Sequence, residues 1–329
     1  MSFSFPASQI FEISGEEQFN DMALKVFQHQ HFHNKVYRQF CQALKCPVDS
    51  LQHYSQIPFL PIEFFKQHAV ICGDSLPELV FTSSGTTGSQ TSRHYVRSSE
   101  IYHESFTKAF RLFFGNPEEY HILALLPGYL ERSGSSLIYM ADELIRQSRS
   151  LHSGFYLNDL GKLKEKIISL RSDPRKVLLL GVSFALLDMA ECFPVQHPGL
   201  MVMETGGMKG RRKELVREEL HGILNQAFGT DKIFSEYGMT ELLSQAYSDG
   251  KGLFAAPPWM KILIREPNDP LSVSTANVSG GINVIDLANV YSCSFIATQD
   301  LGKIHEDGRF EVSGRFDSSD VRGCNLMIS

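Results

Sequence analysis

The chain has 329 residues, 43% of them hydrophobic, and a formal charge of −6, enough apolar content to bury the core of one large domain or two ordinary ones. Acidic and basic residues are interspersed without a basic stripe, which excludes nucleic acid as a partner. The six cysteines form no CxxC pair, which excludes a disulfide framework or a zinc knuckle and leaves most of them as small buried apolar residues.

At the N-terminus, MSFSFPASQIFEISGEEQ lacks a basic region ahead of an apolar run, and the longest apolar stretch, 177–190, is broken by Gly181, Ser183 and Asp188. The expectation is a cytoplasmic protein with no membrane span. Ser14-Gly-Glu-Glu17 has the pattern of a capping box, and Phe19, Met22, Ala23, Val26 and Phe27 follow at helical spacing, predicting one long helix that continues to Leu44. His29, His31 and His33 alternate inside it. Positions two apart face different sides of a helix, so they predict a solvated surface with one packed histidine rather than a metal site. Pro47, Pro58 and Pro61 punctuate an irregular segment before the strand-like LPELVFTSS.

From there strands and helices alternate. HILALLPG, KVLLLGVS, GLMVMETGG and DKIFSEYGMTE read as strands ending in turns. SSLIYMADELIRQ, FALLDMAECF and RRKELVREELHGILNQAF read as helices between them. After Gly250 the helices stop, and PPWMKILIRE, GGINVIDLAN, SCSFIATQDLGKI and GRFEVSGRFD read as short antiparallel strands. The fold class is α/β with βαβ layers and a terminal β-rich subdomain. The expected division is a helical segment over 1–70, an α/β core over 71–250 and a β-rich subdomain of the same core over 251–329.

The segment FTSSGTTGSQTSRHYV, residues 81–96, follows a strand and is rich in Gly, Ser and Thr. Glycines let backbone N–H groups converge on an anion and hydroxyls add neutral donors. Gly85 and Gly88 have neither the spacing of a Walker A loop nor the GxGxxG of a dinucleotide fingerprint. By itself such a segment is more often an ordinary surface turn.

Three further stretches accompany it, and with them the chain resembles the adenylate-forming superfamily of acyl-CoA synthetases from about Leu76 onward. Ser83-Ser-Gly-Thr-Thr-Gly88 is similar to that superfamily's phosphate loop. Glu236-Tyr-Gly-Met-Thr-Glu241 resembles its second signature and Thr298-Gln-Asp-Leu-Gly302 its third. Gly314-Arg-Phe-Asp317, followed by Val321-Arg-Gly323, resembles the hinge that normally leads into a small C-terminal lid. The phrases IPFLPIEFFK, LLPGYLERSGSSLIYM, ETGGMKGRR and RGCNLMIS are similar to the acyl-protein synthetases of the LuxE type.

The resemblance implies the large N-terminal domain of an acyl-CoA synthetase-like fold with the small lid absent, and an ATP- and Mg2+-dependent ligase. That ligase would activate a fatty or aryl carboxylic acid as an acyl-adenylate and pass the acyl group to a cysteine thiol. The acceptor would be a partner protein, a reductase or a carrier protein, or coenzyme A; the alternative is a nucleotide-binding scaffold without catalysis. Ser83, Ser84, Gly85, Thr86, Thr87 and Gly88 would hold the phosphates, Gly206 and Gly207 the adenine turn, and Tyr237, followed by Gly238, the adenine face. Thr240 and Glu241 would act in catalysis, Glu241 as the magnesium ligand. Asp300 would accept from the ribose hydroxyls and Arg315 would contact ribose or phosphate. Cys324 would be the acylated nucleophile beside Arg322; read from its own surroundings it is equally a buried cysteine of a final strand. The superfamily's lid lysine has no counterpart here, and Lys209 stands as an electrostatic substitute or a solvated turn residue. Phe184, Leu187 and Met189 are candidates for an acyl pocket, with core packing the equally economical account.

Overall fold

In the computed structural model, which describes residues 7–83, 91–127, 134–157, 159–208, 212–213, 215–266, 269, 271–274 and 277–316, the first helix is capped one residue later than the sequence predicts. Helix α1 (Glu16–His33) has Gly15 as its N-cap, and Ser14 donates both its amide and its hydroxyl to Gln18 Oε1, at 2.9 and 3.0 Å. The predicted capping box is therefore not formed; Gln18 instead ties Ser14, one residue ahead of the cap, to the first turn. The predicted apolar stripe is buried as expected, joined by His29 and Gln30.

The single helix to Leu44 is a correction. The chain breaks at Asn34 and restarts as α2 (Lys35–Ala43). Asn34 is fully buried, in extended backbone conformation; its Oδ1 accepts from Tyr37 N at 3.0 Å and its Nδ2 donates to Ser292 O at 2.9 Å. A tertiary bond from a residue that also makes a good N-cap outweighs continued helix.

In chain order there follow β1 (Leu60–Pro61), α3 (Phe64–Gln67), β2 (Leu79–Thr82), β3 (Arg93–Val96), α4 (Ser99–Phe114), β4 (Tyr120–Leu125), α5 (Ser136–Ser148), β5 (Gly154–Phe155) and α6 (Leu160–Ser169). Then come β6 (Lys176–Val182), α7 (Ser183–Cys192), β7 (Leu200–Thr205), α8 (Arg217–Phe228), β8 (Ile233–Tyr237), β9 (Ala246–Ser248) and β10 (Phe254–Ala255). The chain continues through β11 (Met260–Arg265), β12 (Val273–Ser274), β13 (Ser279–Asp286), β14 (Phe295–Ile304) and β15 (Phe310–Arg315). Every strand and helix predicted between 120 and 237 is present, with α8 starting at Arg217 rather than at Arg211. Helices α4 and α6 and strand β3 were not anticipated.

Packing divides the chain into two compact units. One comprises Met1–Ser105, Thr240–Ser244 and Ala255–Ser329, and the other Phe106–Met239 and Gln245–Phe254. The helical N-terminal segment and the β-rich C-terminal part therefore share a unit, although the chain order 1–70, 71–250 and 251–329 separates them.

The second unit carries parallel strands in the order β8-β7-β6-β4-β5, with β9 antiparallel on β8. All six residues of β4 and the last six of β6 are buried, the continuous apolar run of strands covered on both faces. The first unit is antiparallel in the order β12-β11-β13-β14-β15, with β1 added parallel to β14 and β2–β3 a separate hairpin.

Helix α1 is fastened to that sheet's connections by one side chain. Gln30 Nε2 donates to Asn289 O, Val290 O and Ser294 Oγ within 2.9–3.1 Å, and Gln30 Oε1 accepts from Ser294 N at 3.0 Å. The rings of Phe27, Tyr37 and Phe59 gather on Phe295.

An Asn34→Ala substitution removes a helix cap and leaves a buried carbonyl and amide unpaired. Loss of about 2–3 kcal/mol of stability is expected, read as a lower urea midpoint with an unchanged m-value.

Candidate functional site

The β2–β3 hairpin pairs Leu79 with Val96 through Thr82 with Arg93. It is extended by Ser83, whose amide donates to Ser92 O at 3.1 Å and whose Oγ accepts from Ser92 N at 2.9 Å. Ser83 thus stands at the mouth of segment 84–90. Ser84, Gly85, Thr86, Thr87 and Gly88 lie outside the described residues.

From the far side of the hairpin, β3 reaches the second signature. His94 Nδ1 donates to Thr240 O at 2.9 Å, and the Ser92 hydroxyl stands beside the Glu241 carboxylate and favours its charged form. Glu241 is 5% exposed. Burial pushes its carboxyl above the usual carboxylate range, opposed by the Ser92 hydroxyl, its own backbone amide and the positive fields of Arg315 and Lys66. Residues 240–244 lie outside helix and strand, so side chains must satisfy their backbone. Asn289 Nδ2 donates to Glu241 O at 2.8 Å. Asp286, fully buried, accepts from Leu243 N and Ser244 N at 2.8 and 2.9 Å and from Ser244 Oγ at 2.6 Å.

Asp300 and Arg315 face each other across the β14–β15 ladder. Arg315 Nε donates to Asp300 Oδ1 at 3.0 Å; the aspartate side chain is 8% exposed and the arginine 76%. Within this unit the structure brings together Ser83, Thr240, Glu241, Asp300 and Arg315, five residues from four separate motifs. Ser92, His94, Asn289 and Lys66, which complete the cluster, carry no motif signal in the sequence.

In the other unit, β7 ends at Thr205 and is followed by Gly206 and Gly207 at φ +73° and +65°. Two successive left-handed residues make this turn a glycine position. On the neighbouring parallel strand β8, Tyr237 is buried and packs edge-on against Phe254, ring centroids 5.9 Å apart. A Cβ at Gly238 would come within 2.3 Å of Glu236 Oε1; the glycine makes room for that carboxylate, which accepts from Thr205 Oγ1. These residues sit at the carboxyl ends of β7 and β8, the edge at which open parallel sheets bind ligands. Beneath them Glu204 is buried and accepts from Ser183 Oγ at 2.8 Å. Its carboxyl titrates below the usual range: burial raises it, outweighed by His221, Ser235, Ser183 and Arg217.

Cys324, Arg322 and Lys209 lie outside the described residues. Of the remaining cysteines, Cys41, Cys72 and Cys293 are buried, and burial pushes the Cys41 and Cys72 thiols up to about 12. Phe184, Leu187 and Met189 are all buried on α7, as either reading of them requires. Among the described residues no group of three or more His, Cys, Asp or Glu side chains could hold a metal ion, and no helix is long and apolar enough to cross a membrane. His29 is the one packed histidine of its triplet.

This architecture is that of the adenylate-forming enzymes. The chain aligns with 2-hydroxyisobutyryl-CoA ligase in complex with 2-HIB-AMP and CoA over 96% of its own length and 70% of that chain, with TM-score 0.70 and 13% identity. It aligns with ATP-bound MatB from Rhodopseudomonas palustris at TM-score 0.55 and 16% identity, and with an ATP-bound RpMatB-BxBclM chimera at TM-score 0.55 and 18% identity. Both of these alignments cover 74% of this chain and 49% of the other, so the chain spans about half their length. Residues 5–108 match the family model of acyl-protein synthetase, LuxE. No curated protein matches.

Burial pulls the His94 imidazole down to about 4, against its bond to Thr240, and pulls His29 down to about 4, helped by His33 and Arg97. Both lie below the unfolded value of about 6.5, so between pH ~6.5 and ~4 the unfolded chain binds more protons. Stability is therefore full above the upper limit and is lost as pH falls, by roughly 1.4 kcal/mol per pH unit for each histidine. Urea titrations at stepped pH should show this slope, and His29→Asn should remove part of it.

Proposed function

We propose that this protein activates a fatty or aryl carboxylic acid with ATP and loads the acyl group onto Cys324 for delivery to a partner protein. A carboxylate oxygen of the acid attacks the α-phosphorus of ATP, the bond to the bridging oxygen breaks, and pyrophosphate leaves. The Cys324 thiolate then attacks the acyl carbon of the adenylate, AMP departs and a thioester remains. A reductase or carrier protein is the acceptor proposed for that acyl group. The same chemistry would serve coenzyme A as the thiol, and the test below separates the two.

The observation that carries this reading is the environment of Glu241. It is a buried carboxylate beside Ser92, in the positive fields of Arg315 and Lys66, with Arg315 in turn paired to Asp300. One carboxylate without a cage fits a magnesium ion that takes its other ligands from phosphate and water. Glu241 would hold it, and when bound it would neutralise phosphate charge. Thr240 would donate to the α-phosphate, and Ser83 would flank the phosphates together with Ser84, Gly85, Thr86, Thr87 and Gly88. Asp300 and Arg315 would take the ribose, leaving Tyr237 with Gly206, Gly207 and Gly238 for adenine. Catalysis on this scheme is positioning and charge neutralisation.

Acid-dependent exchange of pyrophosphate into ATP, run over a panel of acids, is the direct measurement. Exchange is expected for wild type and a loss of roughly 100-fold for Glu241→Gln; ATP binding without exchange for any acid would sink the reading. Labelled acid should mark wild type covalently and leave Cys324→Ser unmarked while exchange persists. Thioester formation on added coenzyme A or carrier protein by Cys324→Ser would assign the transfer to those thiols instead.

A further inference from the structure

We propose that His94 is a positioning residue of the Thr240–Glu241 pair, holding the carbonyl of Thr240 so that the Thr240 hydroxyl and Glu241 carboxylate are presented in one fixed direction. The role goes beyond the motif residues, and its kinetic test rests on the acid-activating reading above.

Residues 240–244 form an irregular run in which buried side chains do the work that a strand or helix would otherwise do. His94 takes the carbonyl of Thr240, Asn289 the carbonyl of Glu241, and Asp286 the amides of Leu243 and Ser244. All three side chains are fully buried. Two successive carbonyls held from opposite ends of the chain leave the peptide between them little freedom to rotate, and that peptide fixes where Glu241 points.

His94 is suited to this task by its chemistry. Donation from Nδ1 to a carbonyl defines the neutral tautomer with a bare Nε2, and Nε2 is buried without a hydrogen-bond partner among the described residues. The ring packs edge-on against Phe65 at 5.7 Å, with planes at 87°. A single donor thus acts from a ring locked by packing. The residue just before its strand carries the link back to the loop mouth, since Ser92 N donates to Ser83 Oγ. Packing alone would be served as well by leucine or phenylalanine, which would leave the half-buried Thr240 carbonyl without this donor.

The test combines three substitutions at 94 with the Glu241→Gln background. His94→Leu removes the donor, His94→Asn places an amide N–H where Nδ1 was, and His94→Gln places one near Nε2. Exchange should fall roughly 10- to 100-fold in kcat for His94→Leu, with KM for ATP within about twofold. His94→Asn should recover most of that loss and His94→Gln should not. In Glu241→Gln the further substitution His94→Leu should cost clearly less than in wild type, because one of the two groups being aimed is already gone. Equal losses in the two backgrounds, or no advantage of Asn over Leu, would overturn the proposal. Long-range proton–nitrogen NMR of the wild-type imidazole judges the brace without any activity. The Nδ1–H tautomer is expected, and Nε2–H would overturn the proposal even in an active enzyme. Absence of exchange in wild type, with the Nδ1–H tautomer present, would remove the adenylation reading and leave the brace standing as a structural fact.

Discussion

The run from Thr240 to Ser244 has a backbone that no strand or helix satisfies, and its last four residues are buried. Each buried carbonyl or amide left unpaired there costs on the order of 1–3 kcal/mol, so the fold must bring side chains to it. It brings His94 from β3, Asp286 from the end of β13 and Asn289 from the connection after it, and places the Ser92 hydroxyl beside the one carboxylate in the run. That requirement explains why five residues flanked by the α/β unit pack with the antiparallel unit instead. It also explains why the N-terminal helices sit on that sheet, since Gln30 secures the same 289–294 connection that supplies Asn289.

Most of the α/β order was readable in the sequence, because β4, β6 and β7 are apolar on both faces and the helices between them keep a helical period. Helix α4 escaped notice although its stripe is buried. Its start is set by Glu78, which takes the amide and hydroxyl of Ser99 from 21 residues away, and a cap supplied from that distance has no local signature. Asn34 misled for the opposite reason. Its neighbours favour helix, and only its bond to Ser292 makes the break.

The candidate site was half legible. Glu241, Asp300, Arg315 and Gly206 stand out because the stretches around them resemble family motifs. Ser92, His94 and Asn289 act on another residue's backbone or carboxylate. Such a task leaves no spacing rule, since any donor reaching that point from any distance in the chain would serve. What the eye lacks in the sequence is the identity of the group that aims the motif, not the motif itself.

The bonds of Gln30 span some 260 residues, and they have a meaning for how the protein is made. While the ribosome is still adding the middle of the chain, the apolar face of α1 can meet Tyr37 and Tyr54 but not Phe295, and the Gln30 amide has none of its partners. Docking of α1 on the connection after β13 therefore waits until the stretch around 289–295 emerges. Ordering by loop closure of that length is slow and exposes apolar surface meanwhile. Expression of this protein should accordingly be limited by the lag between its two ends rather than by the strength of its finished core.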